Sequence, residues 1–388
     1  MRHLVIICDG MSDSPMPEIG GLTPLAAADT PAMDSMAREG LCGMVATIPE
    51  GYEAGSDVAN TAILGYNLSM SFDGRGPLEV AASGYDMLPT DLALRCNLIT
   101  LSPDGRIADF DGGSLSSSET RAINAAINPQ GMRLLPGADF RHNILIHHGS
   151  SQIICTPPHQ CLQRSATELL PRALTSEGES TADCIHRLFE ISTHILNDHR
   201  ALWAWGAGHR PNLPPLLSLH PSLHSAAVIS GVSLIRGLGR LAGMKIISAV
   251  GATGNTNTNY SAKAEAAIEA LNHHDLIYLH IEAPDEASHR GDYRLKIKAI
   301  EEIDRCVVAA VLNHLQTNHI RDVRVALLPD HPTITASRCH GDAPVPLAVW
   351  QCGIVPDGVD CYTEEACQAG SLGLIEAHDF IPTLLKML

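Results

Sequence analysis

Acidic residues and histidines stand where short apolar runs of this sequence stop. Asp9 follows Leu4–Cys8. Asp285 and His289 follow residues 276–281 (LIYLHI) by way of Glu282-Ala-Pro. Asp330 and His331 close residues 325–329 (VALLP), and His340 lies nine residues further on. If the runs are strands, each group sits at a strand's carboxyl end, where open α/β sheets bind ligands. Two divalent ions held close together clamp the attacking and leaving oxygens of an in-line phosphoryl displacement. A mixed carboxylate and imidazole set suits Mn, Zn, Co or Fe better than Ca. Asp285 and His289 are four residues apart, which puts both on one face of a helix. Taken singly, any of these residues reads as a cap or a surface hydrogen bonder, since the chain has 20 histidines. Asp198-His199 repeats the Asp-His dipeptide with no strand before it and reads as a solvated helix face. The shared position at run ends is what points to a site.

A nucleophile for that chemistry is Ser56. Gly55-Ser56-Asp57 precedes a helical pattern over residues 57–64, so the hydroxyl is expected at the N-cap. There the unpaired backbone N–H groups and the helix dipole favour a phosphoryl group. Serine is also among the commonest N-caps, so the local sequence alone leaves both roles open. A neighbouring metal centre favours the nucleophile, because a divalent ion activates a hydroxyl with no general base beside it.

These residues need a framework that brings strand ends together. Residues 4–8 read as a buried strand, and Thr30-Pro31 opens a helix that runs to Gly40. Later the chain alternates: 226–229 apolar, 233–242 helical, 245–250 strand, 263–271 helical, 276–281 strand, 294–315 a long helix, 325–329 strand. Such alternation predicts an α/β fold with a mainly parallel sheet sandwiched by helices. Residues 84–215 read differently, with alternating segments such as 92–101 and proline-rich stretches near 155–171 and 211–215. They are expected to form an inserted α+β cap domain, leaving 1–83 and 216–388 as a discontinuous sheet domain.

At 388 residues the chain can hold two such domains, and 45% hydrophobic residues is a globular composition. A formal charge of −17 argues against a nucleic-acid or anionic-membrane surface. The 11 cysteines are odd in number and form no CxxC pair, so they read as reduced core thiols. No stretch approaches the roughly 20 apolar residues of a membrane span. The first apolar run has five residues, too short for a signal peptide's hydrophobic region. A cytoplasmic location is expected.

The motifs CDGMSD (8–13), GSDVANTAILGYN (55–67), GRGPLEVAASG (74–84), GATGNTNTNYSAKAEAA (251–267), HIEAPDEASHRGDYRLKIKAIEEID (280–304) and PDHPT (329–333) resemble those of the archaeal-type cofactor-independent (2,3-bisphosphoglycerate-independent) phosphoglycerate mutases, of the alkaline phosphatase superfamily. The resemblance runs nearly end to end. It implies an alkaline-phosphatase-like domain carrying a cap, and two divalent ions (Mn, Zn, Co or Mg). One ion would be held by Asp285, His289 and His340, the other by Asp9, Ser56, Asp330 and His331, with Ser56 phosphorylated in turnover. Arg75, Arg95, Arg141, His142, His159, Lys263 and Asp292 match positions where the family keeps polar groups, and are the candidate substrate-binding residues.

The expected reaction is interconversion of 3-phosphoglycerate and 2-phosphoglycerate, with the insert closing over the bound glycerate and neither bisphosphoglycerate nor nucleotide added. No GxxxxGK[ST] loop is present to cradle a nucleotide. Two stretches depart from the family: ALWAWGAGHRPNLPP (201–215), and a Ser- and Gly-rich region near 103–120. Both lie in the insert that shapes the acceptor pocket. A different acceptor, homoserine as proposed for a sister group, or water, therefore stands as the alternative. A non-catalytic binder of metal or phosphoester is the other. The oligomeric state stays open, a homo-oligomer included.

Overall fold

The computed structural model describes residues 1–71, 74–137 and 139–387. The chain divides into two units, Met1–Ser71 with Leu213–Leu388, and Phe72–Asn212. The division falls some twelve residues before the expected boundary at 83/84. Residues 76–82 form a helix whose Val80 packs with Met87, Ala93 and Leu145 of the second unit.

The first unit is built on an eight-stranded sheet. Its strands are β1 (Arg2–Cys8), β2 (Leu41–Ala46), β3 (Ala226–Ile229), β4 (Lys245–Ile247), β5 (Leu276–Ile281), β6 (Val323–Leu328), β7 (Val345–Gln351) and β8 (Leu374–Glu376). They lie in the order β4-β3-β5-β1-β6-β7-β2-β8. Only β7 runs against the others. The mainly parallel sheet is thus present. Three strands escaped the sequence reading: β2, β7 and the short β8.

β5, β1 and β6 are neighbours, with Cys8 beside Ile281 and Ile7 beside Leu328. Their apolar runs are fully buried because helices cover both faces, so no polar alternation survives in them. Equal strand ends bring the next residues of all three strands to one edge, which is what the site requires.

Five helices matter to the site: α1 (Pro31–Arg38), α2 (Ser56–Ile63), α3 (Tyr260–Ala270), α4 (Ala283–His289) and α5 (Tyr293–Ile303). The long helix expected over 294–315 is present as Tyr293–Ile303, a π segment, Asp304–Val308, and Ala309–Thr317. At that segment the buried Asp304 accepts backbone N–H bonds from Ala32 and Met33, at the start of α1.

The second unit has an antiparallel sheet centred on the strand Asp91–Leu101, which pairs with Arg141–His147 on one side and Arg200–His209 on the other. The helices Ser117–Ile127 and Glu179–Ile195 pack on it around Leu94, Ile144, Ile185 and Leu202. Asp198-His199 is not a helix face: both residues have positive φ, 60° and 56°, in the turn after Ile195. The eleven cysteines are free thiols. Among the described residues, no helix is long and apolar enough to cross a membrane.

Candidate metal centre and nucleophile

The three adjacent strands discharge their ligands at one edge of the first unit. β1 leads into Asp9, β5 into Glu282 and α4 with Asp285 and His289, and β6 into Asp330 and His331. Gly10 has a φ of 64°, and a Cβ there would lie 2.5 Å from Thr333 Oγ1 and 2.7 Å from the Asp285 backbone. The three ligand segments approach too closely for any side chain at this position.

The imidazoles are oriented in one sense. His289 Nδ1 lies 2.9 Å from the Arg338 carbonyl and His340 Nδ1 lies 3.1 Å from the Ala54 carbonyl. A carbonyl has no proton to give, so both Nδ1 atoms donate. The two Nε2 atoms then face each other at 2.9 Å, with Asp285 Oδ2 3.3 Å from His289 Nε2 and Oδ1 3.6 Å from His340 Nε2. The third imidazole follows the same rule. Thr333 Oγ1 donates to Asp285 Oδ1 at 2.6 Å and therefore accepts from His331 Nδ1 at 3.3 Å. His331 Nε2 is left 3.7 Å from both Asp9 Oδ1 and Asp330 Oδ2. Fixing one ring N–H so that the other nitrogen is free to ligate is how proteins orient metal-binding histidines.

Ser56 is the first residue of α2 and Gly55 precedes it as the N-cap, with no side-chain capping bond. The expected capping place is thus taken by Gly55, whose φ of 178° is extended backbone that any residue adopts. The Ser56 hydroxyl turns inward, donating to Asp9 Oδ2 at 3.4 Å and lying 3.2 Å from His331 Nε2. A pure cap would have bonded the N–H groups of its own helix.

The charges need a counter-charge. Ligand atoms of Asp285, His331 and His340 lie within 4.8 Å of one another, as do those of Asp9, His280 and Asp330, and those of Asp9, Glu282 and Asp285. Asp9 is 1% exposed and its Oδ1 accepts no hydrogen bond from the described residues. Burial, with the carboxylates of Asp330, Asp285 and Glu282, pushes Asp9 well above the ordinary carboxylate range. Burial would raise Asp285 too, yet hydrogen bonds from His289 and His340 outweigh it and hold Asp285 well below. The Asp285 hydrogen bond in turn lifts His289 to about 9. Buried charges persist where they are paired or coordinate metals, and this donor set fits divalent ions of the Mn, Zn and Co type.

The metalloenzyme superfamily model matches residues 1–387. A 2,3-bisphosphoglycerate-independent phosphoglycerate mutase of Methanosarcina barkeri is 40% identical over all of both chains. A protein of Geobacter sulfurreducens, described as a probable enzyme of the same name, is 39% identical over 98% of each. The chain belongs to the metalloenzyme superfamily and, within it, to the 2,3-bisphosphoglycerate-independent phosphoglycerate mutase family. The solved cofactor-independent phosphoglycerate mutase of Thermoplasma acidophilum superposes with a TM-score of 0.65 at 25% identity, covering 99% of each chain.

Of the family positions expected to bind substrate, three gather in the second unit around Trp205. The guanidinium of Arg95 lies 5.3 Å and that of Arg75 5.9 Å from its ring, and His159 packs edge-on at 6.0 Å. Glu79 Oε1 lies 2.7 Å from Arg95 and 3.4 Å from Arg75. The others are placed elsewhere. Arg141 lies over the Phe140 ring at 4.4 Å, and the buried His142 accepts from the Gly137 N–H. Asp292 caps α5 by accepting from Leu295 N. Lys263 is fully buried in α3 and its ammonium donates to the carbonyls of Thr253 and His280.

Sequence reasoning missed His280, whose Nε2 lies 3.1 Å from Asp9 Oδ2, although it opens the same mutase-family motif as Asp285. It also missed Asn60, which donates to Asp330 Oδ2 at 2.8 Å and accepts from Tyr278 at 2.6 Å. The available signal for Asn60 was its spacing: it lies four residues after Ser56, on the same face of α2.

Proposed function

We propose that this chain interconverts 3-phosphoglycerate and 2-phosphoglycerate through phospho-Ser56, at a centre that binds two divalent ions, with no bisphosphoglycerate and no nucleotide added. The observation that carries the reading is the Ser56 hydroxyl. It is free of any capping bond, stands at a helix start, and faces Asp9 and His331 in a chain 40% identical to a named mutase. Asp285, His289 and His340 would hold one ion and Asp9, Ser56, Asp330 and His331 the other, with His280 and Glu282 beside Asp9. When bound, the ions would neutralise phosphoryl oxygens and ease loss of the serine proton.

The chain's own residues supply the rest. Asp9 Oδ2 accepts the Ser56 hydroxyl and so turns an oxygen lone pair outward. The start of α2 favours the negative charge that accumulates beside it. The Ser56 Oγ–P bond forms as the bond from phosphorus to the 3-oxygen of the substrate breaks, and that oxygen leaves with a proton. The 2-hydroxyl oxygen then takes the phosphoryl group, gives up its proton, and Ser56 regains its hydroxyl. Arg75 and Arg95, held against Trp205, would recognise the substrate's anionic groups, for which a guanidinium fork is suited. The substrate is small and phosphorylated, and the proposed setting is the cytoplasm.

The acceptor is tested by comparing two incubations by ³¹P NMR. With 3-phosphoglycerate alone, a 2-phosphoglycerate signal is expected; with homoserine and ATP, none from O-phosphohomoserine. The opposite pattern overturns the mutase assignment while leaving Ser56 and the metal centre standing.

A further inference from the structure

Lys296 of α5 is fully buried, and its ammonium uses all three of its donors. It donates to the Ser12 carbonyl at 3.1 Å, to Asp13 Oδ2 at 2.8 Å and to the Thr333 carbonyl at 2.8 Å. Ser12 and Asp13 belong to the loop that leaves β1 just after Asp9. Thr333 belongs to the loop that leaves β6 just after Asp330 and His331. The same two loops meet directly, Thr333 N donating to the Ser12 carbonyl at 3.0 Å. Asp13 reaches across from the other side, accepting Thr335 Oγ1 at 2.6 Å. Thr333 itself carries the hydroxyl that bridges Asp285 and His331. Lys296 follows α4 in the chain, so it also stands seven residues from His289.

A buried ion pair is weak evidence for stability, since apolar replacements of similar volume are often as good. What this pair does instead is join two loops that each carry ligands. We propose that Lys296 is a positioning residue of the metal centre. Its buried pair with Asp13 fixes the spacing between Asp9 and the Asp330–His331 pair, and thereby the affinity and geometry with which metal is held. This rests on reading the site as a metal centre.

The test is direct metal binding by the full-length chain. Lys296→Met alone would strand a buried carboxylate, so the informative variant is Lys296→Met with Asp13→Asn, which removes both charges and keeps one oxygen to accept from the backbone N–H groups of Ser14 and Thr335, as Asp13 Oδ1 does at 2.8 Å and 3.2 Å. Thr335→Val is the companion, loosening the same strap by one bond. Mn²⁺ titration calorimetry, the visible bands of the Co²⁺ form and the melting temperature are measured for each. The expected result is a paired variant that melts near the parent but binds Mn²⁺ about tenfold more weakly, with shifted Co²⁺ bands. Thr335→Val should move both in the same direction by less. Parental Mn²⁺ affinity and parental Co²⁺ bands in both variants overturn the proposal and leave Lys296 a purely structural ion pair. An unaltered chain that takes up no Mn²⁺ or Co²⁺ overturns the metal reading itself, and the positioning role with it.

Discussion

Replacing Ser56 with alanine is expected to lower mutase turnover by about four orders of magnitude or more while the protein stays folded. Removing a nucleophile from a covalent route leaves only what binding and electrostatics can do for a direct reaction, and such losses are large. The cost to the fold is small, because Gly55 and not Ser56 occupies the N-cap of α2. Among the described residues the hydroxyl makes two long contacts, 3.4 Å to Asp9 and 3.2 Å to His331. Their loss should cost about 1 kcal/mol, a change of a few degrees at most in melting temperature for a chain this long. Steady-state assay on 3-phosphoglycerate with a melting curve checks both halves. A Ser56→Ala protein with parental turnover would reduce the serine to a bystander.

Metal removal should have the next largest effect. Chelation followed by dialysis is expected to abolish activity, with Mn²⁺ or Co²⁺ restoring it better than Ca²⁺, since imidazoles are poor Ca²⁺ ligands. Asp285→Asn should weaken metal binding by at least about a hundredfold, because Asp285 meets His289, His340 and Thr333 at once. The pH dependence has a definite sign. In the metal-free protein the Asp285 hydrogen bond lifts His289 to about 9, so below that pH the imidazole carries a proton. An ion must displace it, hence binding releases protons and the apparent affinity rises with pH until about 9. Mn²⁺ titrations at pH 7 and pH 8, each in two buffers of different ionisation enthalpy, would detect the release. Undiminished activity after chelation, or an affinity flat across this range, contradicts the assignment.

Much of this is legible in the sequence. The runs at 4–8 and 276–281, and 325–329 up to Leu328, lie in strands because continuous apolar stretches survive only where both faces are covered, and Asp9, Asp285 and Asp330 follow from where those runs stop. That the three strands are adjacent was not legible, since their order depends on long crossovers with no local signature. β7 escaped because Pro346 stands inside the run VPLAVW, and an internal proline argues against a central strand; β8 escaped because three residues are too few for any period. Ser56 as first helical residue rather than cap is a one-residue matter of backbone angles that no propensity resolves. His280 was hidden by its own strand, where a single polar residue in LIYLHI reads as a tolerated core histidine. Lys296 looked like one more charge on an amphipathic helix; its burial depends on two loops, one 284 and the other 37 residues away in the chain.

During turnover the phosphoryl group is expected to rest on Ser56. Mn²⁺-loaded protein mixed with a stoichiometric amount of 3-phosphoglycerate, quenched in acid on the time scale of one turnover and digested, allows the phosphorylated peptide to be located by mass spectrometry. The predicted result is a transient phosphoryl group on Ser56, present during turnover and absent before substrate is added. Full turnover with an unlabelled chain, or with the phosphoryl group on another residue, would contradict it.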